Sequence, residues 1–360
     1  MNIEIETLDG VYPAGNDRAL VANAVDHPWL SILVPVYNVQ PYVEECLLSI
    51  LDQLNRPGIE LIVLDDNSTD ASAALCRHVA AAHTGNIRIL HHDDNRGLSA
   101  ARNTMLEAAK GDYVWFLDSD DTMLPGAIDA LYEIALTHCP DVILCDYIRE
   151  GGKKFPTFSG PSNSLINCTD TLIGGVFSKR RMHAWSRVWK RELFGASIRF
   201  PEGACFEDVA TIPWLKLKAT TFYHVAHPWV YYRSRPGSIM ARLSKSRDFD
   251  RGRNNDLAGA LDGFHDDFAR AVPHASKATS AAIGRFLARE FVKIAKRRLR
   301  SFSRSDWRAA REDIGRYLAT MEASSPLPFS AIASAYLRER KLGRALALRL
   351  ALAAAVPAPI

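Results

Sequence analysis

The chain has 360 residues, 48% hydrophobic and 24% charged, with a formal net charge of +3. That balance excludes a disordered or fibrous chain and fits a soluble globular protein of one large domain or two ordinary ones. The N-terminus MNIEIETLDG lacks the apolar run of a leader, and no stretch reaches the roughly 18 apolar residues of a membrane span. Six cysteines form no CxxC pair and no metal spacing, which suits reduced thiols in a cytoplasmic protein. After residue 240, Lys and Arg outnumber Asp and Glu by about two to one, whereas the front of the chain is acidic.

From Trp29 onward short apolar runs alternate with helical patterns. LSILVPVY (30–37) reads as a buried strand, and the following PYVEECLLSILDQL carries Val43, Cys46, Leu47, Ile50 and Leu51 at helical spacing. IELIVL (59–64) is a second strand that runs into DDNSTD, a turn and helix-cap sequence ahead of a helix over about 70–83. IRIL (87–90), the helix GLSAARNTMLEAAK, YVWFL (113–117), the helix LPGAIDALYEIALTH and DVILCDY (141–147) continue the alternation. Strand, helix, strand with short links predicts an α/β protein with a mostly parallel sheet covered on both faces. The stretch 150–180 reads as an irregular crossing segment or flap, 185–240 as mixed structure, and the chain beyond about 243 as basic helices. The division expected is an extension over 1–28, a catalytic domain over 29–240 with halves 29–121 and 122–240, and a basic helical region over 241–360.

In parallel sheets ligands bind beyond the carboxyl ends of the strands. Here those ends carry Asn38 after the first strand, Asp65 and Asp66 after the second, and Asp118, Ser119, Asp120 and Asp121 after the fourth. Three acids in four positions repel one another unless a hard cation joins them. Mg²⁺ or Mn²⁺ takes carboxylate, phosphate and water oxygens, so DSDD suits a metal-bound diphosphate. The competing reading makes Asp120 or Asp121 the cap of the helix beginning near Leu124. No GxGxxG or GxxxxGK[ST] follows the first strand, which counts against a dinucleotide fold and a P-loop enzyme.

SILVPVYN, SILDQ, LIVLDDNSTD, NRGLSAARN and YVWFLDSDD occur in one order, and through them the chain resembles the family 2 glycosyltransferases of the GT-A fold over residues 30 to about 240. The family includes bacterial cell-surface polysaccharide transferases. The resemblance implies that Pro35 and Tyr37 line a nucleotide-base pocket with Asn38 and Asp65 nearby, that Asp66 contacts a uracil-type base, and that Arg102 lies near the donor. It makes Asp118 a ribose or sugar contact, with Ser119 beside it, and Asp120 the ligand of Mn²⁺ or Mg²⁺. In CFEDVATIPWLK, Asp208 takes the place of the base that deprotonates the acceptor, supported by Glu207; the alternative is an acidic helix start that complements the dipole. His183, Trp185 and Trp189 are candidates for the acceptor side, and Arg233 and Ser238 for the diphosphate.

The implied function is an inverting, metal-dependent hexosyl or N-acetylhexosaminyl transfer from a nucleotide sugar, UDP-linked by the resemblance, to a glycan or lipid-linked hydroxyl. Rivals are a sugar-1-phosphate nucleotidyltransferase and a catalytically silent scaffold of the same fold. Residues 285–311 combine ten Lys and Arg with several apolar residues. They suit either an amphipathic helix on an anionic membrane surface or a packed helix with a solvated basic face, and no nucleic-acid partner is expected. The expected location is the cytoplasm, with peripheral attachment to the inner face of the membrane as an option.

Overall fold

The computed structural model describes residues 27–83, 86–235, 251–301 and 306–355. Its centre is a ten-stranded mixed sheet. The strands are β1 (Leu30–Val36), β2 (Ile59–Asp65), β3 (Ile87–His91), β4 (Tyr113–Phe116), β5 (Thr122–Met123), β6 (Val142–Ile148), β7 (Lys154–Phe155), β8 (Leu165–Ile166), β9 (Arg187–Lys190) and β10 (Phe222–Tyr231). The main path runs β3-β2-β1-β4-β9-β6-β10-β5, with β7 beside β6 and β8 beside β10. β3, β2, β1 and β4 are mutually parallel, β9 runs antiparallel between β4 and β6, and β10 is parallel to β6.

Helices α1 (Val43–Leu51), α2 (Ser72–Ala82), α3 (Gly97–Ala108), α4 (Ala127–His138), α5 (Thr169–Lys179) and α6 (Glu207–Lys218) link or follow the strands. The apolar side chains of β1 alternate between the faces: Ile32, Val34 and Val36 pack with α1, α2 and α4, while Leu33 packs with α3. Both β1 and β2 are buried along their whole length, which explains why they read as continuous apolar runs rather than alternating ones. Burial of each large apolar side chain stabilises the sheet by roughly 1.5–3 kcal/mol. Gly111, which leads into β4, lies so close to β1 that an added Cβ would sit 2.5 Å from the Ser31 amide nitrogen, so this approach requires glycine.

The five predicted strands match β1–β4 and β6, and the four predicted helices match α1–α4, to within a few residues; the short β5 has no predicted counterpart. Residues 150–180 differ from the reading: they hold β7, β8 and the helix α5, whose apolar residues Leu172, Ile173, Val176 and Phe177 are buried. The Gly and Ser around them hid this helix, because Gly174 and Gly175 are placed by close packing: a Cβ would strike Thr279 and Phe158. Among the described residues beyond 250, α7 (Arg251–Gly259), α8 (Phe264–Ala271), α9 (Lys277–Ser301), α10 (Trp307–Ala323), α11 (Phe329–Arg338) and α12 (Leu342–Ala354) form the helical region. Their core is continuous with that of one sheet face, running from Leu33 and Phe116 through Phe177 to Phe286, Phe291 and Leu348.

That continuity decides between the two readings of 285–311. Phe286, Leu287, Phe291 and Ile294 are buried against neighbouring helices, as the packed-helix reading expects. Phe302 lies outside the described residues. None of the described helices is long and apolar enough to cross a membrane.

Candidate active site

The carboxyl ends of β1, β2 and β4 sit side by side, so the acids that follow β2 and β4 occupy one rim of the sheet. Asp118, Asp120 and Asp121 each offer a carboxylate oxygen, and these atoms lie within 4.8 Å of one another. Thr122 and Met123 pair with β10, and the next helix starts only at Ala127, so neither Asp120 nor Asp121 caps it. The cap reading fails on that geometry.

Asp121 is buried; its Oδ1 accepts the Arg233 amide at 2.9 Å, and its Oδ2 has no hydrogen-bond partner. Burial, with Asp118 and Asp120 beside it, pushes its pKa well up. An orphaned buried carboxylate oxygen beside two further carboxylates is an all-oxygen donor set that fits a hard divalent cation. Asp120 meets the guanidinium of Arg235 at 2.5 Å.

One buried guanidinium ties this rim to the second acidic pair. Arg102, 1% exposed, donates to Asp118 at 3.1 Å, Asp208 at 2.9 Å and Glu207 at 3.1 Å. Burial alone would lower the pKa of this arginine, but Asp208, Asp118 and Glu207 outweigh it and raise the value. Both Asp118 and Asp208 are pushed up to about 6 by burial, against the pull of Arg102. Asp208 Oδ2 also accepts the Ala184 amide at 3.2 Å, which brings the 181–186 loop against the carboxylate.

Glu207 and Asp208 open α6, where the helix dipole favours negative charge. The chain turns into that helix at Phe206 with φ of 63°, a left-handed conformation costly for a bulky residue. Arg187, fully buried, holds the preceding loop by donating to the carbonyls of His183 and Arg181. On that loop His183 stacks on Trp185 with ring centroids 4.4 Å apart, and Trp185 stacks on Tyr232 at 5.4 Å. Burial and the nearby Arg187, Arg181 and Arg149 hold His183 well below the usual histidine range, so its ring is neutral. Burial, with the acid cluster adding to it, pushes Tyr232 up to about 12. The aromatic stack thus spans from the Asp208 loop to the Asp118–Asp121 rim.

The remaining predicted residues divide into open and structural ones. Tyr37 is 44% exposed at the rim and makes no described side-chain hydrogen bond, whereas Pro35 is buried within β1. Asp66 is buried and accepts from His92 at 2.6 Å, Arg96 N at 3.0 Å and Gly97 N at 2.7 Å. Those bonds occupy three of about four acceptor positions on the carboxylate, leaving one for a ligand. Gly97 reaches this geometry with φ of +84°.

Three of the expected residues are held by protein partners, and a fourth is core. Asp65 turns both oxygens to the Ser68 amide and pairs with His91, contacts that close the DDNST turn. Asn38 accepts from the Thr69 amide at 2.8 Å and ties the end of β1 to the same turn. Arg102, expected near the donor, spends its guanidinium on three carboxylates, Asp118 of the rim among them. Trp189 is fully buried between strands in the core, so it lines no acceptor surface. Ser119 is buried within the DSDD turn. Arg233 directs its guanidinium to Glu45 at 2.7 Å, and Ser238 lies outside the described residues.

Sequence reasoning missed Arg235, Tyr232, Arg149 and Arg181. The first two stand in the same YYRSRPGSI stretch as Arg233, yet only the folded chain shows which arginine meets Asp120.

Comparisons with known proteins point the same way. Residues 31–194 match the model of a family described as "Glycosyl transferase family 2". The chain is 30% identical over 235 residues to the glycosyltransferase GlyG of Streptococcus pneumoniae serotype 4, covering 61% of this chain and 76% of that protein. It is 31% identical over 220 residues to the minor teichoic acid biosynthesis protein GgaA of Bacillus subtilis, covering 57% of this chain and 47% of GgaA. It spans 31% and 63% of two other curated relatives.

Among solved structures, S. aureus TarS in complex with UDP-GlcNAc superposes with a TM-score of 0.65 at 20% identity, over 88% of this chain and 89% of that one. The fold is therefore GT-A, with a helical region after the sheet. Identity over most of GlyG's length, together with the matched family model, supplies what the fold alone does not: the chain belongs to glycosyl transferase family 2.

Proposed function

We propose that this enzyme is a metal-dependent, inverting glycosyltransferase. It moves a sugar from a nucleotide donor, UDP-linked, to a hydroxyl of a glycan or lipid-linked acceptor during synthesis of a cell-surface polymer. TarS, bound to UDP-GlcNAc, supports the donor class, and GgaA, named for teichoic acid biosynthesis, supports the polymer setting. The observation that carries the reading is the span of Arg102, which joins the Asp118–Asp121 rim to Asp208 across one guanidinium.

In this scheme the nucleotide lies over β1 and β2, with its base against Tyr37 and the last acceptor position of Asp66. Asp120, with Asp118 and Asp121, would hold Mn²⁺ or Mg²⁺, which would supply positive charge to neutralise the leaving diphosphate. Arg235, which pairs with Asp120, would meet the diphosphate there. Asp208 accepts the proton of the acceptor hydroxyl as its oxygen bonds to the anomeric carbon, and the bond from that carbon to the diphosphate oxygen breaks. UDP leaves on the opposite face, so configuration inverts. Glu207 and Arg102 fix the position of Asp208, and Trp185, buried between the rings of His183 and Tyr232, braces the loop whose Ala184 amide meets that carboxylate. Asp208 titrates at about 6, so it is ionised and able to act as base at neutral pH.

Calorimetric titration of UDP and GDP, with and without Mn²⁺, into wild type and Asp120→Ala tests the donor half. Metal-dependent UDP binding that the variant loses is the expected result. Absence of binding by either nucleotide to wild type would favour the silent-scaffold alternative. Formation of pyrophosphate from a sugar 1-phosphate and a nucleoside triphosphate would favour the nucleotidyltransferase.

A further inference from the structure

The outer face of α12 carries three leucines that a water-facing surface does not need. Leu342, Leu346 and Leu350 are 65%, 59% and 60% exposed and recur every fourth residue, so they form one stripe. The opposite side of the helix, with Ala345, Leu348 and Ala351, is buried in the core, which seats the stripe firmly. Exposed Arg338, Arg340, Lys341, Arg344 and Arg349 surround it, and the single acid in α11 and α12 and their link is Glu339. That carboxylate is already paired with Arg285 and Lys341.

Beside the stripe runs a groove of about 910 Å³, lined by Gly343, Arg344 and Ala347 of α12 and by Arg180, Arg289 and Lys296, with no carboxylate among its described lining residues. Arg289 and Lys296 continue along α9 with exposed Lys293 and Arg300 in one line, at steps of three and four residues. Among the described residues, Arg180, Arg289, Lys296 and Arg344 have no carboxylate within ion-pair distance.

We propose that this face docks on an anionic lipid bilayer. The leucine row enters the acyl boundary while the flanking guanidiniums and ammoniums hold phosphate groups at headgroup depth. A second copy of the chain would bring the same cations against themselves. A nucleic acid would take the cations but leave the leucines in water. The docking face is not the α9 apolar face expected from sequence, which is consumed in the core. It does not depend on the reading of the catalytic site.

The test is co-sedimentation of the full chain with phosphatidylglycerol-containing vesicles and with pure phosphatidylcholine vesicles, at low and high salt. Wild type is expected to bind the anionic vesicles selectively. Leu346→Gln/Leu350→Gln should weaken that binding about tenfold, and Arg289→Gln/Arg344→Gln should weaken it and flatten its salt dependence. Melting curves and UDP titration on the same variants establish that they are folded with an intact donor site, so failure of docking is separable from failure of the proposed function. No binding by wild type, or undiminished binding by both folded variants, overturns the proposal. So does self-association in solution that the leucine variant loses, which would assign the face to a second copy.

Discussion

Two buried arginine–carboxylate networks stand in this molecule, and they are built in opposite senses. At the sheet rim one guanidinium, Arg102, serves three carboxylates, Asp118, Glu207 and Asp208. In the helical region one carboxylate, Asp313, 1% exposed, is served by three guanidiniums, those of Arg298, Arg251 and Arg316. Arg298 also reaches Asp306 at 2.6 Å.

The second network matches its buried carboxylate with donors and pins α7, α9 and α10 together. The first leaves an excess of buried negative charge, with two carboxyls pushed up to about 6 and one oxygen of Asp121 unpartnered. An excess of that kind costs stability, and it persists where function uses it. The difference separates a site awaiting a cation from a structural clamp.

Arg102→Ala should have the largest effect, because it leaves three partly buried carboxylates to repel one another. Denaturant titration is expected to show a loss of about 3–5 kcal/mol, together with loss of transfer activity; Arg102→Lys, which keeps the charge but not the fork, should recover only part of both. Unchanged stability in the alanine variant would remove Arg102 from its place as the hub.

Asp208→Asn should keep the fold and donor binding and lower the transfer rate by about 10²–10⁴-fold. Product formation measured beside UDP calorimetry decides this, and equal rates for the two proteins would rule Asp208 out as the base. Asp313→Asn is the contrasting change. It should cost about 2–4 kcal/mol, somewhat less than the usual loss for a broken buried pair because Arg251 and Arg316 remain hydrated, and leave kcat unaltered. A drop in kcat with no change in stability would erase the distinction between the two networks.

The smallest effect is the pH dependence. Asp118 and Asp208 titrate at about 6 in the folded chain, against about 4 when unfolded. The folded state therefore holds more protons between these values. In metal-free buffer stability should fall as pH rises from about 4 to 6, with the penalty complete above that. The transfer rate should move the other way, rising through about pH 6 as Asp208 becomes able to accept a proton. Melting midpoints across pH 4–8 check the first trend and a rate profile the second; midpoints that rise between pH 4 and 6 would contradict the first, and a rate independent of pH the second.

The sequence by itself determined the alternating strands and helices, the acids at the strand ends and the family, because each rests on local pattern: apolar runs of strand length, helical spacing, and short motifs in fixed order. It could not separate Asp66, which keeps one acceptor position, from Asp65, which closes a turn, since neighbouring carboxylates look alike until their hydrogen bonds are known. It could not show that Trp189 is core or that Arg235 meets Asp120, because both depend on which strands become neighbours. The apolar side of α9 and the leucine row of α12 read as equally available in the chain. Packing buried the first and left the second in water. The tertiary structure decided these matters because burial and charge pairing arise between residues far apart in sequence: Arg102 meets Asp208 across 106 positions, and no local pattern records that approach.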